Sequence, residues 1–256
     1  MNVLVIDIGG THVKILATGQ KERREFESGN KMTPTKMVAG VKELAKGWKY
    51  DVVAIGYPGL VTDGKPALEP HNLGRGWVGF DFQKAFGCPV KIMNDAAMQA
   101  LGSYKGGTML FLGFGTGLGS AIVADGPVIP LELGHLSYRD KTYEDYVGVR
   151  GLEKYGKKKW HRLATFGIAR FVKALHPTEV VLGGGNAKKF KKMPKDCRAG
   201  DNANAFIGGF RMWEENGWKN KRETRRSSAF LKRREEGAQR WQQQPHGSPK
   251  PRRRSH

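Results

Sequence analysis

Val3-Leu4-Val5-Ile6-Asp7-Ile8-Gly9-Gly10-Thr11-His12-Val13-Lys14 reads as an apolar strand that runs into an acid, two glycines and a threonine, then resumes as a second strand. The β-branched run suits burial. The Gly-Gly pair permits a tight turn at which backbone N–H groups can approach an anion, and Asp7 offers a carboxylate for a cation or water beside it. Taken by itself the stretch admits two readings, an ordinary hairpin with a Gly-Gly turn or an anion-holding turn. The choice depends on what the rest of the chain supplies.

The chain repeats the design. Leu110-Phe111-Leu112-Gly113-Phe114-Gly115-Thr116-Gly117-Leu118-Gly119-Ser120-Ala121-Ile122 is again an apolar strand, a glycine-rich turn with one threonine, and a second apolar strand. An internal echo of this kind points to two related lobes, each carrying a phosphate-binding turn. Between the two hairpins, Cys88 to Met93 reads as a strand that delivers Asn94-Asp95 onto the first turn of an Ala-rich helix. Asp95 is there either a helix cap or a base. A helix N-terminus favours the carboxylate, partial burial raises its pKa, and the balance can leave it ionised yet basic.

The remaining segments fit an α/β chain. Arg24-Glu25-Phe26 suits an edge strand, and Thr33-Pro34 opens a helix whose Met37, Val41, Leu44 and Ala45 share one face through Trp48. Val52 to Gly56 is a buried strand ending in Tyr57-Pro58-Gly59, at the strand end where α/β proteins bind ligands. Glu69 to Trp77 is a glycine-rich loop, read either as a surface turn with a partly buried Trp or as Asn, His and Trp arranged for a sugar. Phe80 to Phe86 reads as a helix. Glu132 and His135, with Glu144 at the start of a further helix, are candidates to converge on hydroxyl groups, or else solvated and core side chains. Gly151 to Lys159 is helical and basic, and Trp160 to Leu175 continues as a helix. Glu179 to Gly183 reads as the last buried strand, ending in the glycine run Gly183-Gly184-Gly185 before a helix start. Asn202 to Glu214 is expected to close the fold as a helix.

Composition bounds the function. The 256 residues suffice for one large domain or two lobes. The formal net charge is +20, and residues 216–256 hold 13 of the 44 Lys and Arg but 3 of the 24 acids, so half of the excess lies there. That segment is poor in apolar anchors and is expected to be disordered, either simply solvated or a weak polyanion binder. Two cysteines, Cys88 and Cys197, form no disulfide framework or metal-ligand spacing, which suits a reducing compartment. No apolar run is long enough for a membrane span, and the opening strand is too short for a signal peptide, so a cytoplasmic location is expected.

The ordered set DIGGTHVK, NDAA, GFGTGLGSA, LELGH and LGGGN resembles the ROK family of sugar kinases and regulators, most closely its polyphosphate-glucokinase branch, over residues 1–214. The resemblance implies an α/β, two-lobed actin-like ATPase (ribonuclease-H-like) fold: a first lobe over 1–93, a second over 94–215, and the tail 216–256. It also implies site roles. Asp7, Gly9, Gly10, Thr11 and Lys14 match the first phosphate motif, and Gly115, Thr116, Gly117 and Gly119 the second. Gly183, Gly184 and Gly185 match the nucleotide-side glycines. Asp95 matches the catalytic base, Asn94 sits beside it on the sugar, and Glu132, His135 and Glu144 match further sugar ligands, with Gly59 and Asn72 from their loops.

The activity so implied is phosphoryl transfer from polyphosphate and/or ATP, with Mg²⁺, to O6 of glucose or a similar hexose such as mannose, fructose or an N-acyl amino sugar. A homodimer is the default assembly. No structural zinc is expected, because Leu136 to Tyr143 lacks the closely spaced cysteines many relatives carry after the Gly-His. No helix-turn-helix is expected ahead of the hairpin that starts at Val3. The alternative from another class is a non-catalytic sugar sensor or scaffold whose tail binds nucleic acid.

Overall fold

The computed structural model describes residues 1–201 and 203–214, and the expectation for 216–256 lies outside them. The opening stretch forms β1 (Val3–Ile8) and β2 (His12–Ala17), followed by β3 (Arg24–Glu27). Helix α1 (Pro34–Leu44) starts where Thr33 caps it, with Pro34 in its first turn, and ends before Trp48. Then come β4 (Val52–Tyr57), a small ribbon of β5 (Val61–Thr62) and β6 (Lys65–Pro66), α2 (Phe82–Phe86), β7 (Val90–Asn94) and α3 (Asp95–Ser103).

The second hairpin is β8 (Thr108–Phe114) and β9 (Leu118–Ala124), extended by β10 (Val128–Leu131). A ribbon of β11 (Ser137–Tyr138) and β12 (Lys141–Thr142) leads into α4 (Tyr143–Val147) and the long α5 (Val149–Leu175), which kinks at Gly156. Strands β13 (Glu179–Gly183) and β14 (Cys197–Ala199) and helix α6 (Asn204–Arg211) end the described chain.

The echo between the hairpins extends to whole sheets. One sheet has the order β3-β2-β1-β4-β7 and the other β10-β9-β8-β13-β14. In each, the hairpin and a third strand run antiparallel, and two further strands join parallel to the first strand of the hairpin. While β13 is, as expected, the last buried strand, sequence reading missed β10 and β14. Both lie at sheet edges, where one side of the strand needs no partner. A Pro within β10 and a length of three residues in β14 leave little pattern to read.

Helix α3 is shared by the two sheets. Its Met98 packs with Val3, Val5, Val52 and Ala54 of the first, while Ala96, Ala97 and Ala100 pack with Met109, Phe111, Ala121 and Val181 of the second. Helix α6 lies against α3 at backbone contact. A Cβ at Gly208 would come 1.9 Å from the Met98 carbonyl oxygen, and one at Gly102 would come 1.8 Å from that of Asn204. Small residues here let α6 also reach β1, where Gly209 faces Val5.

Candidate active site

Parallel strands β1, β4 and β7 bring Asp7, Gly59 and Asn94-Asp95 to one rim of the first sheet. Asp7 faces Lys14 across the hairpin, with Nζ 4.0 Å from Oδ2. The Asp7 side chain is only 13% exposed. Burial pushes its pKa up, against the opposing pull of Lys14 and Arg23. The Gly9 N–H donates to the His12 carbonyl at 2.9 Å and closes the turn, leaving Thr11 exposed at its tip. Asn72 lies over this turn, with its Cβ 3.3 Å from where a Gly10 Cβ would stand.

Asp95 opens α3. The Asn94 side chain caps that helix by accepting from the Ala97 N–H at 3.1 Å, while its amide donates to the Gly59 carbonyl at 3.1 Å. The Asp95 carboxylate accepts from the Ala96 N–H at 2.8 Å. Desolvation nevertheless dominates and, with the Asp7 charge acting in the same direction, pushes the Asp95 pKa up to about 7. A carboxylate balanced at neutral pH is suited to accept a proton.

Across from it, Glu132, His135 and Glu144 do come together. His135 Nδ1 is 3.5 Å from Glu132 Oε2, and its Nε2 is 3.9 Å from Glu144 Oε2. Gly134 permits this closeness, since a Cβ there would stand 2.7 Å from the Leu118 carbonyl oxygen. Glu144 also walls the second glycine turn, its Oε2 lying 2.4 Å from a Cβ built on Gly117. That turn is held from three sides. The Gly115 N–H donates to the Gly117 carbonyl at 3.1 Å, and the Val149 N–H at the start of α5 donates to the Gly115 and Thr116 carbonyls. The Asn186 amide donates to the Gly115 carbonyl at 3.2 Å. Gly119 approaches Ala96, so the second hairpin abuts the helix that carries Asp95.

Residues 3–151, more than half of the chain, match the ROK family. The chain belongs to the ROK family. It is 29% identical over 209 residues to a polyphosphate glucokinase of Mycobacterium tuberculosis (strain CDC 1551 / Oshkosh), covering 73% of this chain and 78% of that one. It is 30% identical over 161 residues to an N-acetylmannosamine kinase of Salmonella newport (strain SL254), covering 57% and 55%. Among solved structures, the inorganic polyphosphate/ATP-glucomannokinase of Arthrobacter sp. strain KM superposes with a TM-score of 0.70 at 24% identity, covering 81% of this chain and 96% of that one. The α/β architecture of this ROK chain is the two-lobed actin-like ATPase fold.

Several positions singled out in the sequence behave differently from the simplest expectation. Of the three glycines expected on the nucleotide side, Gly183 is buried under the Phe111 ring, and Gly184 is a left-handed residue pressed against the Phe114 carbonyl oxygen. Only Gly185 faces open space. A 3-10 turn, Ala187–Lys189, follows them instead of a helix of useful length. Trp77 is unavailable for stacking on a sugar. It is fully buried between Tyr57 and Phe82, and its indole N–H donates to the Gly74 carbonyl at 2.7 Å. The apolar ring found a core position because Glu69 folds the loop by accepting from the N–H groups of Gly76, Trp77 and Val78.

Two residues absent from the sequence-based set join the site, Asn186 on the Gly115 carbonyl and Arg150 beside Glu144. Asn186 ended the glycine run and so carried a weak signal, whereas Arg150 carried none. Among the described residues no group of three or more His, Cys, Asp or Glu is arranged to hold a metal ion. The buried Asp7 carboxylate, beside the first glycine turn, does suit an ion of the Mg²⁺ type, which is bound through one or two carboxylates plus substrate phosphates.

Proposed function

We propose that this ROK protein is a hexose kinase that transfers the terminal phosphoryl group of polyphosphate or ATP to O6 of glucose, with Asp95 as general base. The observation that carries this is the placement of Asp95 at the start of α3, on the rim that also holds Asp7 and against the second glycine hairpin, where Gly119 meets Ala96. The Asp95 carboxylate takes the hydroxyl proton as O6 bonds to phosphorus, the bond to the bridging oxygen breaks, and the leaving phosphate departs as ADP or a shortened chain. A positioned base contributes about 10²–10⁴-fold to such a step. Asn94 and the Glu132, His135 and Glu144 cluster hold the sugar hydroxyls, and the backbone turns at Gly9-Gly10 and Gly115-Thr116-Gly117 hold donor phosphates. Mg²⁺, held by Asp7 together with the donor, would neutralise phosphate charge. In this reading residues 1–93 and 94–215 are the two lobes, with sugar and donor bound between them.

Polyphosphate as donor is supported by two basic runs brought side by side. Phe190 packs on Trp160 and His161, each with ring centroids 5.2 Å apart, so the segment that carries Lys188, Lys189, Lys191 and Lys192 is anchored against the helix that carries the exposed Lys157, Lys158, Lys159 and Arg162. The same segment reaches the second glycine turn through Asn186, whose amide donates to the Gly115 carbonyl. The relatives named for polyphosphate point the same way. The N-acetylmannosamine kinase relative keeps an N-acyl sugar as the second acceptor to test.

A panel of glucose, mannose, fructose and N-acetylmannosamine crossed with ATP and polyphosphate tests the proposal. Turnover is expected to be highest for glucose with polyphosphate. Transfer from ATP alone would remove the polyphosphate assignment. Sugar binding without turnover, together with salt-sensitive nucleic-acid binding lost on deleting 216–256, would replace the kinase with a sensor.

A further inference from the structure

Arg150 lies on the first turn of α5, directly after the residue whose N–H clasps the second glycine turn. Its Nη2 is 3.2 Å from Asp145 Oδ1 and 3.7 Å from Glu144 Oε1. Asp145 is a fixed anchor, because its Oδ2 accepts from both the N–H and the hydroxyl of Thr142. Those bonds, aided by Arg150, hold the Asp145 carboxyl below its usual range, so it is an anion at neutral pH. Glu144 has its two oxygens divided: Oε1 faces Arg150, and Oε2 faces His135 and Gly117. One carboxylate is thus a wall common to the hydroxyl-binding cluster and the glycine turn.

That position has a physical consequence. A carboxylate beside a turn that receives phosphate repels the incoming anion unless a cation compensates it. A single guanidinium nitrogen, Nη2, faces both carboxylates, so one cationic group on a rigid planar head sits between Asp145 and Glu144. We propose that Arg150 is a positioning residue that orients Glu144 toward the sugar and cancels its charge toward the donor, coupling the two binding events. The proposal rests on the sugar-kinase reading above.

Steady-state kinetics of the full chain, with glucose and donor varied independently, test it. Arg150→Ala is expected to raise the KM of both substrates about three- to tenfold. The same variant should keep kcat within about twofold. Arg150→Lys should restore the donor KM, which depends on charge, but only part of the sugar KM, because a compact ammonium on a flexible stem does not hold Glu144 in one orientation. The donor penalty of the alanine variant should shrink as salt screens the field. A purely structural role would lower the melting temperature without this split between the two variants. Unchanged KM values in Arg150→Ala, against an active wild type, would overturn the role of Arg150 and leave the kinase reading intact. A wild-type chain that neither transfers phosphate nor binds glucose by calorimetry would remove the kinase reading and the Arg150 role with it.

Discussion

The Asp7 carboxylate at the end of β1 acts on Asp95 at the start of α3 across one intervening strand, and its charge makes the Asp95 proton harder to remove. Desolvation is the larger cause of the raised value, and Asp7 adds to it. A base with a pKa of about 7 works only once ionised, so kcat/KM is expected to rise about tenfold per pH unit on the acid side of 7 and level off above it. Asp7→Asn removes the like charge and should move the Asp95 titration, followed by carboxyl carbon NMR, to lower pH. A titration left in place by Asp7→Asn would contradict the coupling.

Asp95→Asn should lose most of kcat while still binding sugar, since an amide cannot accept the proton. It should also be the more stable protein at neutral pH. The folded-state pKa of Asp95 lies above its ordinary value of 3.8, so the stability present below pH 3.8 is lost as pH rises toward about 7. The gain of Asp95→Asn over wild type in urea melts should grow across that window, then stay constant above it. Near wild-type turnover in this variant would remove Asp95 from the role of base.

Gly117→Ala would drive a methyl group into the Glu144 carboxylate, whose Oε2 lies 2.4 Å from the new Cβ. The side chain is flexible at that end, so the fold should tolerate the change while Glu144 swings aside. We expect kcat/KM for the sugar to fall on the order of tenfold or more, with melting temperature nearly unchanged. An unaffected kcat/KM would place Glu144 outside sugar recognition.

Gly208→Ala meets backbone instead. The new Cβ would lie 1.9 Å from the Met98 carbonyl oxygen, so α6 must separate from α3. The cost is expected to be about 3 kcal/mol or more. Gly185→Ala, which enters open space at ordinary φ, should stay within about 0.5 kcal/mol. Thermal melts of the two variants side by side give the comparison.

The local patterns at Val3 to Lys14 and Leu110 to Ile122 determined the hairpins by themselves, because burial of alternating or continuous β-branched residues and the freedom of glycine are properties of short stretches. The same holds for Thr33-Pro34 at the start of α1 and for Asn94-Asp95 at the start of α3. The repeat of those patterns also announced that two similar units would form. What only the tertiary structure decided was which side chains meet. Trp77 turned inward because Glu69 folded its loop, Gly183 and Gly184 were consumed by packing against Phe111 and Phe114, and Arg150 reached Glu144 from the next helix. These outcomes depend on distances between segments far apart in sequence or on a turn that no periodicity encodes. Asp95 shows the division most plainly: the sequence put an acid at a helix start, which by itself favours the carboxylate, and burial between two sheets beside Asp7 reversed that balance.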